Sequence, residues 1–353
     1  MSVNLKQGSR LVLLGRYIFA LVGCQTLLFF VAQTGFAEVV MEKVKHQGWQ
    51  KVYRMANDKV ELLVLADVGP RILRYAFVGE RNEFHEFAED TGKTGDGQFH
   101  SYGGHRFWVS PETERTYYPD NFEVEVRSVG NTLVLTAPVE DKTSPVTGLQ
   151  KSVEVTLAPT GSHVRVLHRI TNRSQAATEL APWGLSVLAP GGRAILPLPP
   201  RHAIGKDHLL PESVFAVWSY TDFSDPRWRL GAKYVQLLAD PVRTGRFREQ
   251  MGGIYAAAGW GAYFRDGQLF VKRMRPVPGA NYPDHGCNFE LYTEPGFLEL
   301  ESLAPLTVLQ PGKSVEHVED WMLFEGVPAG DDEDWIDRTI LPLVNGVGMM
   351  QAP

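Results

Sequence analysis

The sequence predicts an all-β sandwich in a single domain, followed by a short C-terminal helix. Three observations carry that expectation. Period-2 apolar segments recur from about residue 58 to about residue 324, turn-forming pairs separate them, and helical patterning is confined to the tail.

The strand candidates come in chain order as Val60–Leu65, Phe122–Val126, Leu133–Ala137, Ser152–Leu157, Val164–Ile170 and Ala181–Leu188. Tyr234–Leu238, Gly261–Phe264, Leu269–Arg273, Asn288–Tyr292, Phe297–Glu301 and His317–Phe324 follow. In each, alternate residues suit a pleated surface buried on one side. Gly130-Asn131, Thr160-Gly161, Asp266-Gly267 and Pro311-Gly312 fall between them as turns. Asp266-Gly267, flanked by Tyr263-Phe264 and Leu269-Phe270, is the strongest hairpin signal. The tail helix is expected over Asp331 to about Val344, where four successive acidic residues complement a helix N-terminus. The chain therefore divides into a leader, 1–37, a lead-in, 38–57, a sandwich domain, 58–324, and a tail, 325–353.

The leader reads as an export signal. Lys6, Arg10 and Arg16 precede an apolar run from Tyr17 to Ala32, and the small residues Gly35 and Ala37 follow, so cleavage is expected after Ala37. That predicts a periplasmic or extracellular protein with no stable membrane span after processing. Leu21-Val22-Gly23-Cys24 also matches a lipoprotein box, but the apolar run continues past Cys24, which weakens lipidation as the alternative.

The formal net charge is -6, and removing the basic leader makes it more negative. An acidic chain without a basic run is a poor partner for nucleic acid, whose affinity comes from cations on phosphates. Cys287 is the one cysteine left after processing, so the core rather than a disulfide must hold the fold. No cysteine pair or His-x-His spacing suggests a metal, and no glycine-rich phosphate loop suggests a nucleotide, so no cofactor is expected.

Four motifs then resemble one known family. Gly69-Pro-Arg-Ile72, Tyr102-Gly-Gly-His-Arg-Phe-Trp108 with Pro111-Glu112, and Ile170-Thr-Asn-Arg-Ser174 followed by Glu179–Ser186 come in order. Phe297–Lys313 with Glu319-Asp-Trp-Met-Leu323 completes the set. Together they resemble the galactose mutarotase-like (aldose 1-epimerase-like) superfamily, and most closely a secreted branch of it. The resemblance covers roughly residues 58–324. It implies a β-supersandwich whose concave face binds a carbohydrate, either a monosaccharide or a glycan.

The candidate site residues follow from both readings. Leu298 and Leu300 point one way in Phe297–Glu301, so Glu299 and Glu301 share the opposite face, which is either solvated or functional. The resemblance makes Glu301 the general base, with Glu299 beside it raising its pKa. It also places Trp183 where the family carries a catalytic histidine, which leaves the acid unfilled and offers an indole for stacking instead. His105, in the Tyr102–Trp108 segment, is the substitute acid to consider. If that segment is extended, His105, Phe107 and Val109 face one side and Arg106, Trp108 and Ser110 the other. A buried, satisfied His105 is the competing reading. Arg106 and Trp108 suit a polyhydroxy or acidic sugar, with His100 nearby. Asp284, His285 and Glu290 form a third group, readable as ligand contacts or as turn residues. His168, on a Val/Ile face, reads as core, and Lys272 with Arg273 fits an exposed hairpin.

Three functions remain open on this basis. The first is an exported carbohydrate-binding or accessory protein. The second is an aldose epimerase-like enzyme with Glu301 as base, and the third is an envelope assembly protein. The missing imidazole favours binding over epimerisation.

Overall fold

The computed structural model describes residues 38–242, 248–346 and 348–350. The expected leader, its cleavage point and Cys24 lie outside the described residues. No helix among the described residues is long and apolar enough to cross a membrane.

Two antiparallel sheets carry the architecture. In the first, the strands lie side by side as Val40–His46, Trp49–Ala56, Val60–Leu65, Arg71–Phe77, His105–Ser110, Thr178–Leu188, Phe297–Leu303, Phe289–Glu294, Gln250–Ile254 and Phe215–Val217. Thr307–Leu309 adds to the start of Thr178–Leu188. In the second the order is Trp228–Leu230, Tyr234–Leu238, Arg193–Pro197, Trp260–Arg265, Gln268–Arg273, Ser314–Phe324, Val164–Asn172, Leu149–Leu157, Thr132–Val139 and Glu125–Val129. Their inner faces meet in one apolar core that joins Phe107, Leu298, Leu300 and Phe289 of the first sheet to Tyr263, Phe270 and Trp321 of the second. Burial of this surface is the main force holding a chain without a disulfide.

The expected strands are present, most of them one to three residues longer than their periodic cores, except that Phe122–Val126 is displaced: residues 122–124 are irregular and the strand runs Glu125–Val129. The predicted hairpin forms with Arg265 opposite Gln268, and Asp266 and Gly267 take φ of 45° and 80°, the left-handed pair that a tight two-residue turn needs. The expected lead-in instead supplies the two strands at the edge of the first sheet. Trp49, Val52 and Met55 are buried there, but Val40–His46 is mostly exposed and charged, which hides its pairing from a burial pattern.

The tail helix starts where expected. Asp332 caps it, accepting from the Trp335 backbone N–H at 2.6 Å, and the helical segment runs on to Gly346. Trp335, Ile336, Ile340 and Val344 pack on Ile195, Trp260, Leu269 and Met322, which covers the outer face of the second sheet. Lys272 departs from expectation: it belongs to the opposite, inner face and is 0% exposed. Arg273 is the partly exposed member of that pair and donates to the Val344 carbonyl at 3.0 Å, at the helix end.

Candidate functional site

Five neighbouring strands of the first sheet build the site, and their register explains why. Trp108 lies opposite Trp183, and Arg106 lies opposite Leu185. Leu185 in turn lies opposite Glu301, Glu301 opposite Glu290, and Glu299 opposite Tyr292. Directly paired residues of an antiparallel sheet project to the same side. All of these side chains therefore leave the sheet on the face turned away from the second sheet. A cleft of about 340 Å³ opens on that face, within the range usual for small-ligand sites.

The cleft floor is ionic. The Arg106 guanidinium lies 3.0 Å from Glu299 Oε1 and stacks over the Trp108 ring at 4.0 Å. The Trp183 indole N–H donates to Glu301 Oε2 at 2.8 Å. Phe99, Tyr117, Tyr220 and Tyr292 stand partly exposed around this floor, and Glu112, Glu249 and Glu294 complete its acidic lining. Tyr117 donates its hydroxyl to Glu112 and packs edge-on against Trp108 and Phe99.

Electrostatics make the floor unusual. Burial lifts Glu301 well above the usual carboxylate range, and the adjacent Glu299 lifts it further. Glu299 is also raised by burial, but Arg106 opposes the shift. Beside Glu301 lies Glu290, completely buried and raised by burial, by Glu301 and by Asp284. Neither Glu290 carboxyl oxygen has a hydrogen-bond partner, and Asp284 is the neighbouring acid beside it. Gly253 makes room for this pair, because a Cβ there would sit 2.9 Å from Glu290 Cγ and 2.7 Å from Cys287 Sγ.

The structure thus brings together Glu299, Glu301, Arg106, Trp108 and Trp183. Trp183 is only 2% exposed, so it is a wall of the cleft and the donor to Glu301 rather than an open stacking face. Glu290 and Asp284 sit behind the floor and do not line the cleft. Asp284 and the exposed His285 hold φ of 50° and 64°, a left-handed bend leading into the Glu290 strand. His100 is not in the cleft either; its ring nitrogens bond Asp90 at 3.2 Å and Asp96 at 2.7 Å, which ties a loop together.

His105 is the largest departure. It projects from the same strand as Arg106 but to the opposite side, into a sealed polar cluster between the sheets. Its Nε2 lies 2.7 Å from His168 Nε2 and its Nδ1 3.0 Å from the Ser186 hydroxyl. Glu319 is the centre of that cluster, bound by Lys272 at 3.1 Å, the Ser302 hydroxyl at 2.5 Å and the Trp321 indole at 2.7 Å. Gly184 faces it, and a Cβ there would fall 2.4 Å from Glu319 Oε1. Burial pushes His317 down to about 3 and holds His105 and His168 below their usual range. Lys272 and the three histidines overcome the burial penalty on Glu319 and hold it far below the usual carboxylate range. His105, His168 and Glu319 could converge on one ion, but Lys272 already supplies the counter-charge there. His105 cannot reach a ligand in the cleft as a proton donor, and no other histidine lines the cleft among the described residues.

The loop-borne lining residues were missed by sequence reasoning: Phe99, Tyr117, Tyr220 and Glu249 lie on segments with no periodicity. Tyr292, already the end of the expected strand Asn288–Tyr292, and Glu294, two residues on, could have been found by continuing that alternation and pairing Tyr292 with Glu299.

No protein-family profile matches the chain, and no curated protein matches it in sequence. Solved structures do match. A candidate aldose 1-epimerase from Klebsiella pneumoniae subsp. pneumoniae MGH 78578 superposes with a TM-score of 0.54 at 14% identity, over 85% of this chain and 85% of that one. A galactose mutarotase-like protein from Lactobacillus casei ATCC 334 gives 0.48 at 10% identity, over 77% of this chain and 100% of that one. A TPR-domain containing protein from Parabacteroides distasonis ATCC 8503 gives 0.49 at 13% identity over 79% of this chain, which spans 48% of that protein's length. The chain has the galactose mutarotase-like, or aldose 1-epimerase, fold.

Proposed function

We propose that this is an exported carbohydrate-binding protein whose ligand occupies the cleft over Arg106, Glu299 and Glu301. Fold alone does not assign a function, so the site must carry the argument. The observation that carries it is the ionic floor ringed by four partly exposed aromatic rings, a combination that offers both hydrogen bonds and apolar C–H contacts to a sugar. Export rests on the basic, apolar and small-residue pattern of residues 1–37.

Binding is favoured over epimerisation by the place of His105. An anomeric proton relay needs an acid and a base within hydrogen-bond reach of the sugar. The cleft offers carboxyls and tyrosine hydroxyls, and burial raises Tyr117, Tyr220 and Tyr292 far from any working pH.

Tryptophan fluorescence tests the reading, since Trp108 and Trp183 form the cleft wall. Titration with mono- and oligosaccharides should change the emission, and Tyr220→Ala should weaken binding about tenfold, the equivalent of 1.4 kcal/mol. Polarimetry on the same sugars should show no acceleration of mutarotation. Acceleration that Glu301→Gln abolishes would replace this reading with the isomerase one, and a folded protein that binds no saccharide would reject it.

A further inference from the structure

We infer that the cleft selects a saccharide carrying a positive charge, such as a free amino sugar, rather than a neutral or acidic one. The inference rests on the carbohydrate reading above and narrows it to a substrate class. Its basis is the charge of the lining. Among the described residues, Glu112, Glu249, Glu294, Glu299 and Glu301 line the cleft with a single guanidinium, Arg106, and Glu299 already pairs with it. Arg248 lies 3.8 Å from Glu294 with its own side chain half exposed. An acidic sugar entering this cleft would find Arg106 engaged and carboxylates around it. An ammonium would find carboxyl acceptors in the same lining.

The aromatic lining points the same way. Phe99, Tyr117, Tyr220 and Tyr292 surround the acidic floor, and aromatic faces attract cations through their quadrupole. A neutral sugar gains from the rings but not from the surplus charge, while a carboxylated one is repelled. The Arg106 stack on Trp108 shows that a cation already rests on one ring of this wall, 4.0 Å from its centroid.

Burial gives the selection its strength. Glu299 and Glu301 are 6% and 1% exposed, so water screens them little and their hydrogen bonds to a charged donor are of the stronger, charge-assisted kind.

The test compares D-glucosamine, N-acetyl-D-glucosamine, D-glucose, D-glucuronate and tetramethylammonium as ligands, by calorimetry and tryptophan fluorescence. Glucosamine should bind at least about tenfold more tightly than glucose or N-acetylglucosamine. Its advantage should shrink as salt is raised. Glu249→Gln combined with Glu294→Gln should bring the glucosamine-to-glucose ratio to within about threefold. Equal binding of glucosamine and glucose, or a preference for glucuronate, would overturn the inference while leaving a sugar site in place. Binding of tetramethylammonium without any sugar would keep a cation-binding cleft and reject the carbohydrate reading. Binding of none of the five would reject both.

Discussion

Two glutamates, Glu301 and Glu319, lie on the two sides of the strand Phe297–Leu303 and meet opposite fates. Glu319 reaches the inner side from the second sheet, where Lys272, Ser302 and Trp321 satisfy its oxygens. Its charge is kept. Glu301 projects to the outer side, where the Trp183 indole is its donor and Glu299 and Glu290 are its neighbours. Its charge is resisted. Both are almost completely buried, so burial alone does not decide the protonation state of a carboxyl. The partners decide it. The inner cluster is internally compensated and serves stability, while the outer face carries uncompensated acidity that a ligand can use.

The largest effect expected from this contrast is on the inner side. Lys272→Met removes the ammonium 3.1 Å from Glu319 and leaves a buried carboxylate without its counter-charge. Breaking one partner of such a pair costs about 3–5 kcal/mol, which thermal or urea unfolding would read directly. A loss below about 1 kcal/mol would mean that Ser302, Trp321 and the histidines suffice, and the two faces would differ less than described.

A smaller effect of opposite sign is expected on the outer side. Because the folded state raises Glu301 above its ordinary 4.5, the folded protein holds that proton more tightly than the unfolded chain. Its contribution to stability is thus fully present below pH 4.5 and is lost as pH rises through the folded value. Glu301 faces Glu299 on its own strand, Glu290 on the next, and Arg106 and Trp183 across the sheet, with Glu112 further away. Glu301→Gln keeps an acceptor for Trp183 and removes the repulsion. It should raise stability by on the order of 1 kcal/mol at pH 7–8 and leave it nearly unchanged at pH 4. Glu319 has the reverse linkage: its contribution is present above pH 4.5 and lost as pH falls toward the depressed folded value. The buried neutral histidines add to that acid loss, since the unfolded chain takes up their protons from about pH 6.5 downward.

How far this contrast was legible in the sequence differs between the two faces. Alternation correctly put Glu299 and Glu301 on one side of their strand, and His105 and Arg106 on opposite sides of theirs. It also marked His168 as a core residue, and it is completely buried. Alternation does not say which side faces the partner sheet, so His105 could be read as an acid beside the sugar until the second sheet was in place. Lys272 was illegible for a related reason. A lysine in a hairpin strand ordinarily reaches solvent, and only the distant Glu319 makes its burial tolerable. The cleft rim was hidden more deeply, because Phe99, Tyr117 and Tyr220 come from loops whose course depends on tertiary contacts rather than on periodicity.

The opposite shifts of these two carboxyls are the claim on which the contrast stands, and carboxyl carbon-13 NMR as a function of pH measures them most directly. With Glu301 assigned by comparison with Glu301→Gln, its side-chain carboxyl should titrate well above 4.5. The Glu319 carboxyl should stay ionised down to the acid limit of the folded state. A Glu301 that is fully ionised at neutral pH and titrates near 4.5, alongside a Glu319 that does the same, would contradict the account.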